Sequence, residues 1–529
     1  MLPTLDQAIT LHRAGRLAEA ETAYRAILNA EPDAALALRG LGLVLVQTGR
    51  AEDAIAVMLP LAHSADAELH NTLGVAFMQT GAWPDARRQF ESALDQAPGH
   101  AIALANLGAV RYRMGDIEES VDLLSRAAKA DPKNPEALFN LSLSLRALGE
   151  LEAAEAAARA ALDLAPKSAH AHVALGVAQA AGGDRHGAEA AYRSAIAADP
   201  RAAEGHHNLA QLLLAREALA DGWQEFEWRW QTGDFAGADR FLGAPPWNGT
   251  PLAEGTLLVW TEQGIGDQIL YASMLPDLEG QAPRILVACS ARLVPLFARS
   301  FPFADVVSQA DLLADEDALA AVTAQVPVGS LGRFLRPDVS RFPSRARHLF
   351  ADAPRASELR RRYRDARGPK PLIGLSWRST NPRFGAAKSI AMDELAAALS
   401  RKDAAFVSLQ YGDIETDLAD AGAGGLDVFR DPAVDPLADL DAFAAQVAAL
   451  DLVVTVSNTT AHIAGALGVP CWIMVPAGHG RFWYWFLDRD NSPWYPSVRL
   501  FRQTHAGSWT EALDAIGAAL TDWTPERPD

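Results

Sequence analysis

The stretch VVTVSNTTAHIAGALG (Val453 to Gly468) indicates the fold class of the second half of this chain. It begins with four β-branched residues, which favour a buried strand. A short polar turn without charge follows, and closely spaced alanines and glycines then favour a helix that packs tightly on a sheet. A strand that leads through a turn into a helix is the repeating unit of parallel sheets. The stretch therefore predicts an α/β fold, in which ligands bind at the carboxyl ends of strands.

The turn itself is a candidate anion site. Residues 457–460 (Ser-Asn-Thr-Thr) precede the helix, where N–H groups and the helix dipole attract negative charge. Their hydroxyl groups add hydrogen-bond donors, and His462 lies within the first turn of the helix. The alternative is a capped helix with nothing bound and a histidine that packs in the core. The sequence leaves both interpretations open.

Short apolar segments alternate with helical patterns throughout the second half. Continuous runs of Val, Ile and Leu suit parallel strands that are buried on both faces. The predicted strands are TLLVW (256–260), RILVAC (284–289), PLIGLSW (371–377), AAFVSLQ (404–410), DLVVTV (451–456) and PCWIMVP (470–476). The basic stretch RRRYRDARGPK (360–370) separates two sets of strands and is interpreted as a linker. We therefore expect two Rossmann-like subdomains.

A second strand end also carries polar groups. In WTEQGIGDQILYASMLP (260–276), Gly264 and Gly266 permit a tight turn and Asp267 falls near the start of a helix. A carboxylate in that position can accept a proton from a substrate in a cleft. Aspartate also favours this position simply as a helix cap, which is the alternative.

The first half of the chain is a repeat array. Glycines recur at steps of 32 to 34 residues, at Gly15, Gly49, Gly81, Gly115, Gly149 and Gly183. Each unit carries two segments with apolar residues at helical spacing, and a unit of this length resembles the tetratricopeptide repeat (TPR). We count six repeats over 1–202 and the start of a seventh at 203–216. Such arrays form a superhelix with a concave face.

Asparagines occupy one register of the repeats. Asn106, Asn140 and Asn208 share a position on the first helix of their units. Their amides can hydrogen-bond the backbone of an extended peptide without reading its sequence. Protein O-linked N-acetylglucosamine transferases are similar here. The alternative is that these asparagines serve packing or solubility.

An aromatic segment follows the repeats. DGWQEFEWRWQTGDF (221–235) breaks the period and carries three tryptophans, which is typical of a helix docked on a neighbouring domain. The Pro/Gly-rich APPWNGTPLAEG then ends the helical region. The predicted boundaries are 1–216 for the repeat array, 217–250 for the aromatic helix and connection, 251–365 for the first α/β domain and 366–529 for the second.

The net charge and the lengths of the apolar runs indicate which kinds of binding partner are excluded. The net charge of −19 argues against general nucleic-acid or membrane-surface binding, both of which need basic patches. No apolar run reaches the length of a membrane span, and the N-terminus lacks the pattern of a signal peptide. Cys289 and Cys471 lie in apolar stretches and are expected to be buried and reduced. We expect a cytoplasmic protein without nucleic-acid binding or membrane insertion.

The motifs of the second half resemble those of the glycosyltransferase-9, or heptosyltransferase-like, family. The matching segments are EQGIGD (262–267), GLSW (374–377), SLQ (408–410), AHIAGALG (461–468) and SPWYP (492–496). The resemblance covers residues 217 to 520 approximately and implies a GT-B fold, with the active site between two Rossmann-like domains. The expected fold class is therefore α plus α/β, a TPR superhelix followed by a GT-B glycosyltransferase.

The resemblance also implies roles for individual residues. Asp267 is the expected general base on the acceptor hydroxyl, and Lys388 is the expected cation at the donor phosphate. Both are expected to be catalytic. The expected donor-binding residues are Gly264, Gly266, Gln268, Arg378, Arg383, Gln410, Ser457, Asn458, Thr459, Thr460, His462 and Gly478. The resemblance implies no metal, and no cofactor besides a nucleotide-sugar donor.

Two further patterns have structural interpretations. Asp-x-Asp matches at 315–317, 439–441 and 488–490 resemble metal-binding pairs, but in so acidic a chain they are interpreted as solvated acids. The aromatic run GHGRFWYWFLDRDNSPWYP (478–496) is assigned to packing and domain closure, with stacking on a nucleotide base as the alternative.

Ser457 departs from the pattern of the family, in which an aspartate contacts a neutral donor sugar. An uncharged turn tolerates a donor sugar that carries its own carboxylate, because an acid there would repel it. We therefore expect a nonulosonic acid similar to pseudaminic acid, delivered as a CMP sugar, since fused transferases of this type include enzymes that glycosylate flagellin. The acceptor is then Ser or Thr of flagellin, or of another protein, held by the repeats. The alternatives are a transferase that acts on surface polysaccharide or lipopolysaccharide from a nucleotide diphosphate sugar, and a non-enzymatic TPR adaptor with a degenerate transferase domain.

Overall fold

The computed structural model describes residues 3–232, 243–381, 384–399, 403–478 and 480–525. These residues form two compact units, which divide between Gly205 and His206. The first unit is built from helices, and the second contains two parallel sheets with helices around them.

Pairs of helices joined by short turns make up the first unit. In chain order the helices are α1 (Leu5–Arg13), α2 (Leu17–Ala30), α3 (Ala35–Gln47), α4 (Ala51–Met58), α5 (Ala67–Gln79), α6 (Trp83–Gln96), α7 (Ala101–Met114), α8 (Ile117–Ala130), α9 (Pro135–Leu148), α10 (Leu151–Leu164), α11 (Ala169–Gly182) and α12 (Arg185–Ala198). Each helix packs against the next one along the chain. This arrangement confirms the helix-turn-helix units predicted from the spacing of the glycines.

Glycines serve two purposes within a pair. Gly115 ends α7 with a φ angle of 91°, in the left-handed region that other residues rarely adopt. Gly74 lies inside α5, where a Cβ atom would come within 2.5 Å of the Phe90 ring on α6. The periodic glycines therefore either end the first helix of a pair or permit the second helix to approach closely.

The asparagine register is partly used within the array. Asn106 on α7 donates from Nδ2 to Oδ1 of Asn71 on α5 over 3.0 Å, a partner that the sequence analysis missed. Asn140 on α9 is half-buried, and its side-chain amide makes no hydrogen bond to another described residue. Asn208 lies beyond the boundary of the first unit. Asn106 thus has a packing role, whereas the amide of Asn140 is available to a ligand.

The second unit alternates helices and strands. Its helices are α13 (Ala203–Ala215), which spans the boundary, α14 (Leu219–Phe226), α15 (Ile265–Ala272), α16 (Val294–Ser300), α17 (Gln309–Leu313), α18 (Glu316–Ala320), α19 (Gly332–Leu335), α20 (Ala353–Arg367), α21 (Gly385–Lys388), α22 (Met392–Leu399), α23 (Glu415–Ala423), α24 (Leu440–Ala448), α25 (Thr459–Leu467) and α26 (Thr510–Asp522). Its strands are β1 (Thr256–Trp260), β2 (Arg284–Cys289), β3 (Asp305–Ser308), β4 (Val322–Pro327), β5 (Leu372–Ser376), β6 (Ala405–Ser408), β7 (Val428–Phe429), β8 (Leu452–Val456), β9 (Cys471–Val475) and β10 (Val498–Arg502).

The strands form two parallel sheets. The first sheet has the order β3-β2-β1-β4, and the second has the order β10-β9-β8-β5-β6-β7. All six predicted strands are present, each within two residues of its expected ends. The strands not predicted from the sequence are β3, β4, β7 and β10, which are the edge strands of the two sheets. Edge strands are only partly buried, so they lack the continuous apolar run that identified the inner strands.

The basic stretch 360–370, interpreted as a linker, mostly forms the end of helix α20, which packs against α24. Its arginines pair with acids of the second sheet and its connections. Arg360 contacts Asp451 at 2.7 Å, and Arg362 contacts Asp431. The positive charges therefore dock a helix on acidic residues around the sheet.

The aromatic segment belongs to the second unit. Trp223 on α14 is fully buried and donates from Nε1 to the carbonyl oxygen of Arg336 over 2.9 Å. Its ring meets Trp483 edge-on at 5.3 Å between centroids. Nearby, Glu217 and Arg489 form an ion pair at 2.9 Å that joins the beginning of this unit to a region close to its end. The segment is thus packed into the hydrophobic core of the second unit.

The predicted state of the cysteines is confirmed. Cys289 and Cys471 are buried and do not pair with each other. Burial raises the pKa of the Cys289 thiol to about 12 and that of Cys471 still further, so neither is a reactive thiolate. Across the described ranges, the helices are too short or too polar to traverse a bilayer.

Candidate functional site

The two turns identified in the sequence lie next to each other in the second unit. One follows β1 and leads into α15, and the other follows β8 and leads into α25. Helices α15 and α25 pack together, although their strands belong to different sheets. Gly266 on α15 is so close to His462 on α25 that a Cβ atom would lie 2.9 Å from the imidazole Cδ2. The absence of a side chain at Gly266 therefore permits this close approach of α15 and α25.

Asp267 is the third residue of α15 and is half-buried. Its Oδ2 accepts a hydrogen bond from the backbone N–H of Gly264 at 3.2 Å, so the capping role considered in the sequence analysis is present. Burial raises the pKa of Asp267 to about 6, and the negative charge of Glu262 adds to the rise. A carboxylate with such a pKa is charged at neutral pH and can still accept a proton.

Lys388 ends the short helix α21 and is buried. Its Nζ donates to the carbonyl oxygen of Ser457 over 3.1 Å and lies 4.2 Å from the centroid of the Phe482 ring. Burial lowers the pKa of Lys388 to about 8, against the attraction of Asp267. The ammonium group is thus held between a backbone carbonyl and an aromatic face, and remains largely charged at neutral pH.

The charges of Asp267 and Lys388 act on each other. Lys388 lowers the pKa of Asp267 against the effect of burial, and Asp267 raises that of Lys388. The aspartate follows a strand of the first sheet, and the lysine contacts the turn after β8 of the second. A half-buried acid and a buried lysine of opposite charge therefore occupy one site where the carboxyl ends of the two sheets come together.

Ser457 is buried, and both its carbonyl oxygen and its hydroxyl oxygen accept hydrogen bonds from other side chains. Its carbonyl oxygen accepts from Lys388, and its hydroxyl oxygen accepts from the indole Nε1–H of Trp485 at 2.7 Å. The following residue, Asn458, caps α25 with Oδ1 on the N–H groups of Thr460 and Ala461 at 3.0 and 3.4 Å. The capped-helix alternative therefore accounts for part of the turn, because Asn458 occupies N–H groups that an anion would otherwise use.

Thr459 and Thr460 differ in their access to this site. Thr459 is half-buried, whereas Thr460 is almost fully buried. Asn458 also donates from Nδ2 to Ser376 Oγ at 2.8 Å, which ties the turn after β8 to the end of β5. The turn is thus rigidly attached to the neighbouring strand, and Thr459 is its most accessible residue.

His462 lies in an aromatic pocket. Its Nδ1 is 2.9 Å from the hydroxyl of Tyr495, and its ring stacks on Trp485 at 5.2 Å and meets Tyr484 edge-on at 5.1 Å. Burial, with the charge of Lys388, lowers the pKa of His462 to about 3. The imidazole is therefore neutral at physiological pH, and these contacts agree with the core histidine considered in the sequence analysis.

The side-chain oxygens of two predicted donor-binding glutamines accept hydrogen bonds from other groups of the protein. Gln410 Oε1 accepts from Ser376 Oγ at 3.1 Å and from the N–H groups of Trp377 and Arg378, both at 3.0 Å. Gln268 Oε1 accepts from Thr261 Oγ1 at 2.9 Å and from a backbone N–H at 3.1 Å. Both side chains hold the backbone that follows a strand, and so they shape the edge of the sheets.

The remaining predicted donor-binding residues are Arg378, Gly478, Arg383 and Gly264. Arg378 forms an ion pair with Asp417 at 3.1 Å and also contacts the carbonyl oxygen of Asp413. Gly478 adopts a φ angle of 66°, in a turn that glycine favours. Arg383 falls outside the described residues. Gly264 has an extended φ of −75° and acts as the N-cap residue of α15.

A cavity of about 240 Å³ opens beside this site, at the carboxyl ends of β6 and β7. Its lining includes Gln410, Tyr411, Arg430, Asp431 and Asp435. In the sheet order, β5 separates β6 from β8, so the cavity and the turn at Ser457 lie about 10 Å apart at the usual strand spacing. Of its walls, only Ser408 and Gln410 belong to a motif recognised in the sequence; the other lining residues lie in segments without such a motif, so the cavity itself was not predicted.

Aromatic residues far along the chain complete the site, in the run for which the sequence favoured packing and domain closure, with stacking on a base as the alternative. Phe482, Tyr484, Trp485 and Tyr495 surround Lys388 and His462. Phe486 has a φ angle of 53° and a ψ angle of −175°, a combination almost confined to glycine. Backbone strain next to Trp485 is typical of a site whose geometry is imposed by its surroundings.

The Asp-x-Asp pairs have structural roles at several positions. Asp315 and Asp439 cap helices α18 and α24, and Asp441 pairs with Arg299. Within the described parts of the chain, no group of three or more His, Cys, Asp and Glu side chains is arranged to hold a metal ion.

Sequence comparison identifies the repeats. Residues 5–68, 71–135 and 105–169 match the family model of the tetratricopeptide repeat, so the chain contains TPR repeats as predicted. A curated relative, Protein FlbA of Caulobacter vibrioides, is 32% identical over 329 residues, which are 59% of this chain and 54% of the relative. The chain thus spans about half the length of the curated relative it matches.

Solved structures of repeat proteins cover part of the chain. The Cut9–Hcn1 hetero-tetramer of the APC/C is 19% identical with a TM-score of 0.37, over 40% of this chain and 42% of that one. YrrB, described as a TPR protein with an unusual peptide-binding site, is 22% identical with a TM-score of 0.29, over 35% and 96%. MamA of Desulfovibrio magneticus RS-1 is 23% identical with a TM-score of 0.29, over 32% and 96%.

Proposed function

We propose that this protein is a cytoplasmic protein O-glycosyltransferase of GT-B type that needs no metal and no cofactor besides its nucleotide-sugar donor. The observation that carries the proposal is the pair of Asp267 and Lys388 at the meeting of two parallel sheets. A half-buried carboxylate and a buried ammonium, each with a pKa shifted toward neutrality, are suited to acid–base and charge-stabilising roles. The motif resemblance of the second half to the glycosyltransferase-9 family assigns these same residues to catalysis.

In the proposed reaction, the hydroxyl oxygen of a Ser or Thr acceptor forms a bond to the anomeric carbon of the donor sugar. The bond from that carbon to the phosphate oxygen breaks, and its electron pair leaves with the nucleotide. Asp267 takes the proton of the acceptor hydroxyl. Lys388 offsets the charge of the leaving phosphate, the task that a metal ion performs in other transferases. Their pKa values of about 6 and about 8 leave both groups in the required charge state near pH 7.

The donor spans the edge of the second sheet in this proposal. Its sugar and phosphate lie near Ser457 and Lys388, and its nucleoside occupies the cavity beside Tyr411 and Arg430. The separation of about 10 Å between these positions suits a nucleotide linked to a sugar. The cavity is smaller than a pocket for a whole ligand of this kind, and its volume suits the base and part of the ribose.

The proposed donor is a CMP-activated nonulosonic acid. Ser457 stands where heptosyltransferase-like enzymes carry an acid, and its hydroxyl accepts from the neutral indole of Trp485. Asn458, Thr459 and Thr460 add no charge to the turn. A sugar that bears its own carboxylate meets no repulsion from such a turn, and is attracted by Lys388.

The proposed acceptor is flagellin, bound by the TPR repeats before transfer. TPR arrays are protein–protein interaction modules, and Asn140 offers an unoccupied amide on the first helix of its pair. The relative Protein FlbA carries a name of the flagellar type, which supports a flagellar role. Other protein acceptors of the same chemistry, with accessible Ser or Thr in an extended segment, fit the same arrangement.

Intact mass spectrometry of flagellin tests this proposal. Flagellin is compared from cells with the gene, cells without it, and cells with Asp267→Asn. Loss of nonulosonic acid mass units in both altered strains supports the function and the role of Asp267. Loss only in the deletion strain keeps the function and removes Asp267 as the base. Unchanged flagellin in both strains rejects the acceptor, and defects in surface polysaccharide would then favour the alternative acceptor.

A second experiment tests the donor with purified protein. Binding and transfer are measured with CMP-nonulosonic acid and with nucleotide diphosphate hexoses. Use of the former alone supports the assignment, and use of the latter alone overturns it.

A further inference from the structure

Arg229 is a fully buried arginine in the aromatic segment, well before the sheets in sequence. It follows α14, and its guanidinium makes a bidentate contact with Glu262: Nε to Oε2 at 2.9 Å and Nη2 to Oε1 at 2.8 Å. Nη1 also donates to Glu227 at 3.0 Å, and Nη2 to Ser330 Oγ at 2.8 Å. The charge of the fully buried guanidinium is thus held by two carboxylates and a hydroxyl.

Glu262 lies at the start of the turn that carries Asp267. Its Oε1 accepts a further hydrogen bond from the backbone N–H of Gly329 at 3.0 Å. A Cβ atom at Gly329 would come within 2.5 Å of that oxygen, so this backbone approach is possible only for glycine. Glu262 is therefore fixed from two sides, by the aromatic segment and by the segment that follows β4.

The backbone between Glu262 and Asp267 is strained. Gln263 adopts a φ angle of 63°, in the left-handed region where a side chain is unfavourable. Gly264 then donates its N–H to Asp267 and begins α15. A strained residue persists only where its neighbours are held in place. The anchor on one side is Glu262, and the anchor on the other side is the capped start of α15.

We propose that Arg229 is a positioning residue for Asp267, acting through Glu262 and the strained turn at Gln263. The aromatic segment is then a functional part of the catalytic unit, and not only a connection to the repeats. This inference rests on the proposed function, because it needs Asp267 to act as a base. Arg229 itself touches neither substrate nor reacting atoms in this proposal.

A purely structural role for the ion pair is the competing explanation. Removing one partner of a buried pair is strongly destabilising, whereas replacing both by apolar residues is often neutral. The double variant Arg229→Met/Glu262→Met therefore separates the two roles. A fold that needs the pair only for stability keeps its activity in this variant, whereas a base that needs the pair for its position loses activity.

The experiment uses the full-length chain and flagellin as acceptor. For wild type, the double variant and Arg229→Lys, we measure kcat, the KM for donor, the pH profile and thermal unfolding by tryptophan fluorescence. The matched control is Arg284→Met, which removes an exposed ion pair with Asp305 elsewhere in the same unit. This control is expected to leave all four quantities unchanged.

The expected result for the double variant is a fall in kcat of roughly 10²-fold at a similar melting temperature, since small displacements of a catalytic group have costs of this size. The KM for donor changes little, and the acidic limb of the pH profile moves to lower pH because the charge of Glu262 is gone. Wild-type kcat and an unshifted limb in the folded double variant would overturn the proposal.

If the double variant does not fold, Arg229→Lys distinguishes a positioning role of Arg229 from a purely structural one. A lysine keeps the charge and cannot make the bidentate contact. The positioning role predicts roughly tenfold lower kcat per folded molecule, and the structural role predicts a wild-type value. Absence of transfer by the wild-type protein itself would reject the proposed function, and this result is separate from any difference among the variants.

Discussion

The indole of Trp485 donates a hydrogen bond to the hydroxyl of Ser457 over 2.7 Å, across 28 residues of sequence. The same serine holds Lys388 through its carbonyl oxygen. One residue thus connects an aromatic wall of the site to the cation proposed to meet the donor phosphate. The uncharged side chain of Ser457 is therefore hydrogen-bonded to Trp485, while its backbone carbonyl oxygen holds Lys388.

Ser457→Asp is expected to change the preference for donor. The carboxylate can still accept from Trp485, but it places a negative charge next to the proposed position of the donor sugar. Repulsion of a carboxylate-bearing sugar at this range is expected to lower its kcat/KM roughly tenfold or more. The control Ser457→Asn has nearly the same size without charge. Equal losses for Asp and Asn would show that size, rather than charge, is responsible.

Asp267→Asn is expected to abolish most transfer while the fold is kept. Loss of the base lowers kcat by about 10²–10⁴-fold, with little change in the KM for donor. Because burial raises the pKa of Asp267, its charged form is unfavourable in the folded protein above about pH 6. The neutral amide is therefore expected to leave stability at pH 7.5 equal or higher. A variant of wild-type kcat would remove Asp267 from the mechanism.

The pH dependence of kcat/KM is expected to be bell-shaped. Activity rises as Asp267 loses its proton near pH 6, and falls as Lys388 loses its own near pH 8. The other charged or titratable groups that act on Asp267 are Glu262, Tyr271, Tyr484 and Tyr495; burial raises the pKa of each tyrosine well above 10, so these remain neutral across this range. A profile measured with Lys388→Arg should lose its basic limb. Retention of that limb would assign it to another group.

The strands and turns near Asp267 and Ser457 were predictable because the relevant signals are local. Apolar runs identified the inner strands, and a strand followed by a polar or glycine-rich turn identified both positions. The edge strands lacked a continuous apolar run and were missed. The hydrogen bond of Trp485 to Ser457, the ion pair of Arg229 and Glu262, and the cavity beside Tyr411 were also not predicted. Their roles depend on contacts between distant segments, which no periodicity in a single sequence records.

His462 is expected to make the fold sensitive to acid. Its folded pKa is lowered by burial to about 3 from an ordinary value of 6.5. Between pH 6.5 and 3, His462 therefore binds a proton in the unfolded chain but not in the folded protein. The free energy of unfolding falls as pH decreases through this range. Each such proton contributes a slope of about 1.4 kcal/mol per pH unit.

The test compares urea unfolding of wild type and His462→Asn at several pH values. Tryptophan fluorescence reports the second unit, because Trp83 is the one tryptophan of 13 that precedes it. The variant is expected to lose less stability between pH 6.5 and 4, while His348 still contributes in both proteins since burial lowers its pKa to about 4. Parallel curves for the two proteins would contradict the role of His462.

Asn106 and Asn140 are expected to differ although they share one register. Asn106→Ala removes the hydrogen bond to Asn71, and is expected to cost about 1 kcal/mol of stability in the first unit. Asn140→Ala removes an amide available to a peptide, and is expected to raise the KM for the protein acceptor about fivefold with little effect on stability. Far-UV circular dichroism and acceptor titrations measure the two effects. Identical behaviour of the two variants would argue against acceptor contact by Asn140.

The ion pair of Glu217 and Arg489 spans 272 residues of sequence. The repeats, in contrast, are held by contacts between helices that follow each other along the chain. During synthesis the repeats can therefore complete their packing as they leave the ribosome. The site around Asp267 can form only after Trp485 and Tyr495 have been synthesised. Under the proposed function, the surface for the acceptor would therefore be complete in a nascent chain before the site proposed to modify that acceptor.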